Sequence, residues 1–213
     1  MKLKTLDYLN PILVMVVIVL AIYFYPLLPA KVASHWNFAG EVDGWSSKNF
    51  QVIFLPLLTL AVYLLFQFLP RLDPKKMNYA QFGSAYKIMQ FVFLLFFAIL
   101  FVVTSLANLG WNLPIGTVVS SLIGVMFIIF GFLMPKFKSN WFIGIRTPWT
   151  LSSDSVWQKT HELAKYMFII AGAMFIFISY LPEGLMSPAF VLLIVLLLIP
   201  VIYSYFLFKK ERK

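Results

Sequence analysis

The sequence predicts an all-α polytopic membrane protein with six transmembrane helices and both termini in the cytoplasm. Three observations carry that expectation. Of 213 residues, 62% are hydrophobic and only 12% charged, against roughly 25% charged in a soluble domain. The apolar residues gather in six long runs. Fifteen of the 17 Lys and Arg residues fall in connections on one side of those runs.

The runs lie at 11–28, 50–69, 88–109, 115–134, 163–181 and 189–208, each 18 to 22 residues long. At about 1.5 Å rise per residue, that length matches a hydrocarbon layer of roughly 30 Å. In the first run Pro11 suits a first helical turn. "KVAS" near residue 33 offers the small residues of a signal cleavage site, but the run exceeds the roughly 7–15 residues of a signal peptide's apolar core. The first span is therefore expected to stay. Pro56 in the second run and Pro200 in the sixth are expected to bend their helices. In the fourth, Ser120 and Gly124 form a small-xxx-small pair that lets a neighbouring helix approach. Lys165, the one charge in any run, sits at the rim of the fifth, where its stem can snorkel.

The charges then give sidedness. Lys2 and Lys4, then Arg71, Lys75, Lys76 and Lys87, then Lys136, Lys138, Arg146, Lys159 and Lys165, and finally Lys209, Lys210, Arg212 and Lys213 share one side. Only Lys31 and Lys48 face the other. By the positive-inside rule the richer side is cytoplasmic. The net charge of +9 thus reads as topology and attraction to anionic headgroups, and no direct nucleic-acid partner is expected. All six tryptophans (36, 45, 111, 141, 149 and 157) lie in connections or at span ends, where an amphipathic indole prefers to sit. With no cysteine in the chain, disulfides, thiolate metal sites, thiol nucleophiles and palmitoylation are excluded.

Two connections are long enough to carry function. "LPAKVASHWNFAGEVDGWSSK", residues 28–48, belongs to the outer side. Val32, Ser34, Trp36 and Phe38 alternate as in a strand, and turn residues stand at Ala39-Gly40-Glu41 and Asp43-Gly44, so a hairpin or Ω-like cap is expected. His35, Glu41 and Asp43 match no established metal spacing, and no metal is expected. Aromatics with a few polar handles suit a contact surface, and a structural lid over two helix ends suits the same residues.

The inner connection begins with "MPKFKSN", where Pro135 ends the fourth helix. Trp141 to Ile145 is too apolar for open cytosol and too short to span. Thr147-Pro148 requires extended backbone at Thr147. Ser152 or Ser153 is placed to cap the next helix, with Asp154 at its positive end and Trp157 paired with His161 four residues on. Arg146 suits either an anion shared with that helix start or plain snorkelling. No serine has a base at catalytic spacing and no Gly-rich loop could cradle a nucleotide. A non-enzyme without cofactor is expected. A transporter is the alternative, its polar residues in the spans being Thr59, Gln67, Gln90, Thr104, Ser105, Asn108, Ser120 and Ser121.

At these two connections the sequence resembles a known family, the SdpI-type membrane immunity proteins of Gram-positive bacteria. "NWFIGIRTPWTLSS" followed by "WQKTH" is similar to that family's signature. "LPAKVASHWNFAGEVDGW" is similar to the domain of unknown function that commonly precedes it. The resemblance implies a multi-pass protein of the bacterial cytoplasmic membrane that protects against a secreted, membrane-active toxin peptide. It also implies a signalling receptor that holds a winged-helix autorepressor at the membrane. Residues 1–75 would form a two-span unit with extracytoplasmic loop 29–49, and 76–213 a four-span unit with signature loop 135–162. The toxin-facing residues would be His35, Trp36, Asn37, Gly40, Asp43, Gly44 and Trp45. The inner, partner-binding set would be Asn140, Phe142, Gly144, Arg146, Thr147, Pro148, Trp149, Trp157 and His161. The fifth helix would carry the signal between them.

Overall fold

Six helices long and apolar enough to cross a membrane make up most of the chain. The structure, a computed structural model, describes residues 3–37 and 40–212. Phe38 and Ala39 of the expected outer element, and the terminal Lys2 and Lys213, lie outside them. The elements in chain order are α1 (Leu3–Phe24), β1 (Lys31–Trp36), β2 (Val42–Ser47), α2 (Lys48–Leu72), a 3-10 turn (Lys76–Asn78) and α3 (Tyr79–Asn108). After them come α4 (Ile115–Leu133), a second 3-10 turn (Met134–Lys136), α5 (Pro148–Ser152), α6 (Asp154–Ile178) and α7 (Glu183–Glu211). Large apolar side chains face outward along the spans, with Ile22 71%, Leu57 58% and Ile202 58% exposed. Such surfaces are stable when hydrocarbon is the solvent.

α1 begins eight residues before its apolar run, so Pro11 sits inside the helix rather than in its first turn. The polar Thr5–Asn10 stretch still coils because it finds partners. Asp7 pairs with Lys87 of α3 at 2.6 Å, and Asn10 donates to Gln90 at 2.8 Å. Pro56 and Pro200 also lie within continuous helices.

β1 and β2 form a two-stranded antiparallel hairpin, a small β element in an otherwise helical chain. Its turn is built at Asn37–Glu41, where Asn37 Oδ1 accepts the Glu41 N–H at 2.9 Å and Gly40 takes a positive φ of 82°. The second expected turn, Asp43-Gly44, lies within β2 instead. Gly44 stands opposite His35, and a Cβ on it would come within 2.8 Å of the His35 Cβ. That glycine serves close strand approach rather than a reversal.

α1 packs on α2 and α3, α3 on α4, α4 on α6, and α6 on α7. The α4–α6 contact is the closest. A Cβ on Gly124 would run into the Gly172 carbonyl oxygen, and one on Gly131 would lie 2.8 Å from the Lys165 carbonyl oxygen. Gly124 and Gly131 are two turns apart on one face, so the glycine seam extends the expected Ser120–Gly124 pair towards the other end of the helix. Lys165 lies over the Phe132 and Tyr166 rings, 5.8 and 5.2 Å from their centroids.

This order gives the bundle two distinct ends. One holds the hairpin and the connections after α3 and α6. The other holds the signature loop, the α2–α3 connection and both chain ends, since Asp7 meets Lys87 and Glu211 meets Lys159.

Candidate functional site

At the hairpin end, the buried Gln51, from the first turn of α2, donates to Ser105 at 3.1 Å and Thr104 at 3.4 Å on α3. Asn108, at the end of α3, pairs with the backbone of Ala33 in both directions. It accepts the Ala33 N–H at 2.7 Å and donates to its carbonyl at 3.1 Å. An edge strand presents such backbone groups unpaired, so Asn108 substitutes for a third strand and fixes the hairpin to the bundle. Below the hairpin opens a cavity of about 540 Å³, walled by β1 and by α2, α3, α4, α6 and α7. Its lining is mostly apolar, and among the described residues no Lys, Arg, Asp or Glu contributes to it.

The seven residues expected at this end divide. His35, Trp36 and Asn37 line the cavity. Gly40, Asp43, Gly44 and Trp45 shape or flank the hairpin. His35 Nδ1 faces Asp43 Oδ1, Asn37 donates to Glu41, and Lys31 lies over the Trp45 ring at 5.3 Å. The walls from α4, α6 and α7 lie outside the expected toxin-facing set, although Ser120 on α4 stands out in the sequence as a small and polar span residue. Helix periodicity alone does not reveal which apolar faces converge on a void.

At the other end, the signature loop is organised by buried polar side chains. Asn140, fully buried, accepts the N–H groups of Phe142 and Ile143 at 3.0 and 2.7 Å. It also donates to the carbonyls of Lys138 and Ile143. Gly144 follows with φ +99°, and a Cβ there would overlap Nε2 of His161. His161 is fully buried and stacks on Trp157 with ring centroids 4.2 Å apart. Its Nε2 accepts the Ile145 N–H at 3.0 Å, and Nδ1 lies 2.8 Å from the Trp157 carbonyl oxygen. A carbonyl can only accept, so Nδ1 donates and the ring is held as the neutral Nδ1–H tautomer. Trp157 donates its indole N–H to the Phe137 carbonyl at 2.8 Å.

Thr147 caps α5 reciprocally with Thr150, a capping box ahead of Pro148 at the first helical position. Ser153, one of the two expected caps, caps α6 by accepting from Val156. Arg146 donates to the Trp141 carbonyl at 2.8 Å. The loop docks on the α2–α3 connection. Asp73 accepts from the Tyr79 hydroxyl and the Trp141 N–H, both at 2.9 Å, and Lys75 reaches Ser139 at 2.7 Å. α7 closes the other flank. Ser204 meets Thr147 at 3.1 Å, Tyr205 packs edge-on against Trp149, and Glu211 accepts from Ser153, Ser155 and Lys159.

Asn140, Thr147, Trp157 and His161 are thus buried and shape the loop from within. Arg146 and Pro148 are exposed, and Phe142, Gly144 and Trp149 half-buried. Asp73, Lys75 and Glu211 share this network although no motif singled them out. Each is distant in sequence from the loop it supports.

Residues 136–204 match the SdpI/YfhL protein family, and residues 12–60 match a domain of unknown function, DUF1648. Over 191 residues, 89% of this chain and 89% of the relative, the sequence is 26% identical to the immunity protein SdpI of Bacillus subtilis (strain 168). No solved structure matches the chain. The resemblance drawn from the two connections is borne out, and the chain is a bacterial multi-pass membrane protein.

Proposed function

We propose that this chain is a membrane immunity protein that meets a secreted, membrane-active toxin peptide at its hairpin end. It also acts as a receptor that reports the encounter at its signature loop. The similarity to the B. subtilis immunity protein supports the first half. The uneven distribution of Lys and Arg supports placing the signature loop in the cytoplasm and the hairpin outside. No catalytic step enters this function.

One geometric observation carries the receptor half. α7 lines the cavity with Met186 and Phe190 near its start. Its other end holds the signature loop through Ser204, Tyr205 and Glu211. α6, packed beside it, runs from the loop to the cavity wall at Phe175 and Ile178. The lever in this reading is the α6–α7 pair, which extends the expected lever, the fifth span α6. A ligand that favours one arrangement of this pair changes the surface offered inside, by as much as its affinities for the two arrangements differ. The partner at Arg146, Pro148 and Trp149 would be the winged-helix repressor, and anionic headgroups would meet the surrounding lysines.

The test is expression in a bacterium sensitive to the cognate peptide. Survival should rise, and a fluorescently tagged repressor should move to the membrane on exposure. Unchanged killing at normal membrane abundance would refute the immunity role. A repressor that stays cytosolic would refute the receptor role.

A further inference from the structure

The cavity beneath the hairpin has a chemistry that narrows what it holds. Its volume of about 540 Å³ lies within the roughly 300–1,000 Å³ of sites that enclose a small ligand. It has room for a few large side chains, not for a folded domain. Among the described residues its walls carry no Lys, Arg, Asp or Glu, so an ion deep within it would lose hydration without an adjacent counter-charge. A phospholipid would find no lining Lys or Arg for its phosphate. Pure hydrocarbon would leave a buried hydroxyl of the lining, that of Ser179, unused. Most polar side chains of the lining are already engaged: Gln51 bonds Thr104, Ser105 and Asn108, and Asn37 bonds Glu41. Ser179, at the end of α6, also lines the cavity, and its buried hydroxyl has no hydrogen-bond partner among the described residues. A peptide fits both demands, because apolar side chains fill the void while a backbone amide meets the Ser179 hydroxyl.

We propose that this cavity is a binding site for a short, uncharged, apolar peptide segment, its side chains between α2, α4 and α7 and a backbone amide at the Ser179 hydroxyl. This deepens the immunity reading and rests on it: the occupant would be the apolar stretch of the toxin. Selectivity would come from excluding charge rather than from reading a sequence.

The chain has no cysteine, so Ser120→Cys on the α4 wall can carry a single bimane fluorophore. Ile202→Cys, on the exposed face of α7, serves as the lipid-facing control. Each protein is placed in nanodiscs of phosphatidylcholine and phosphatidylglycerol. The probe is a capped, uncharged ten-residue peptide rich in Leu and Phe, compared with a variant carrying two central lysines. The expected result is a saturable emission shift at position 120 with the neutral peptide and at least tenfold weaker binding of the charged one. Ile123→Trp, in the same wall, should abolish the shift while the protein still elutes as a folded species. Dibrominated acyl chains should quench position 202 at least threefold more than position 120. Equal quenching at both positions would make the cavity a lipid site and overturn the proposal. So would equal binding of the two peptides, or binding unaffected by Ile123→Trp. Because the readout is binding, the two claims fail separately. Saturable binding without protection of cells removes the immunity reading, and protection without such binding removes the site.

Discussion

Gly144→Ala offers a sharp test of how the signature loop is built. Three penalties are expected. An L-residue held at φ +99° costs about 1–2 kcal/mol. The new methyl would overlap His161 Nε2, and forcing atoms into a packed site costs about 1–3 kcal/mol. Displacing the ring also breaks its bond from Ile145 at 3.0 Å, worth about 0.5–1.5 kcal/mol. Together they predict a loss of about 2.5–6.5 kcal/mol. His161→Ala alone should cost about 2–4 kcal/mol, since it leaves the Ile145 N–H and Trp157 carbonyl without the ring and opens a void. In that background the obstacle to a methyl at position 144 is gone. Gly144→Ala should then cost only the backbone term, about 1–2 kcal/mol, giving a favourable coupling of about 1.5–4.5 kcal/mol. The assay is reversible unfolding in mixed micelles, followed by tryptophan fluorescence, for the four proteins of the cycle. Additive losses, or a Gly144→Ala cost below about 1 kcal/mol, would refute the close approach of loop and ring.

Other expectations follow from the same contacts. Asn108→Ala should strip the hairpin of its anchor, weakening its docking by about 2–4 kcal/mol for two unpaired backbone groups. Hydrogen exchange should rise across residues 31–47 and stay unchanged in the middle of α3. Gly124→Leu should wedge α4 from α6 at a cost above about 2 kcal/mol, seen as a lower midpoint in the same unfolding assay, whereas Gly184→Ala, whose Cβ would meet nothing within 4 Å, should not. Arg146→Ala and Trp149→Ala should keep wild-type abundance and reduce repressor recruitment. Normal recruitment by both would place the partner surface elsewhere.

Much of the fold was legible because lipid demands length and apolarity, and both are written locally. The six runs and the tryptophan positions needed no tertiary information. The helix ends were harder. α1 extends through Thr5–Asn10 because Lys87 and Gln90, some eighty residues away, receive its polar groups. The hairpin was visible in the alternation of Val32, Ser34 and Trp36. The Asp43-Gly44 pair imitated a turn because glycine serves close approach as well as reversal. At the signature loop, the residue types Asn, Gly, Thr-Pro and Trp-x-x-x-His announced a specific structure. The burial of Trp157 beside Phe137 and of Thr147 beside Ser204 of α7 comes from partners distant in sequence. The cavity was the least legible feature. It is made by faces of five helices, each of which reads as ordinary lipid-compatible sequence.

The account rests on which end of the bundle meets the medium, and single cysteines in this cysteine-free chain report that directly. Glu41→Cys at the hairpin turn and Ser152→Cys at the end of α5 are both at exposed positions. In intact cells a membrane-impermeant maleimide should label position 41, and it should reach position 152 only after permeabilisation. Labelling of 152 but not 41 in intact cells would invert the protein and contradict the proposed meeting of toxin and hairpin.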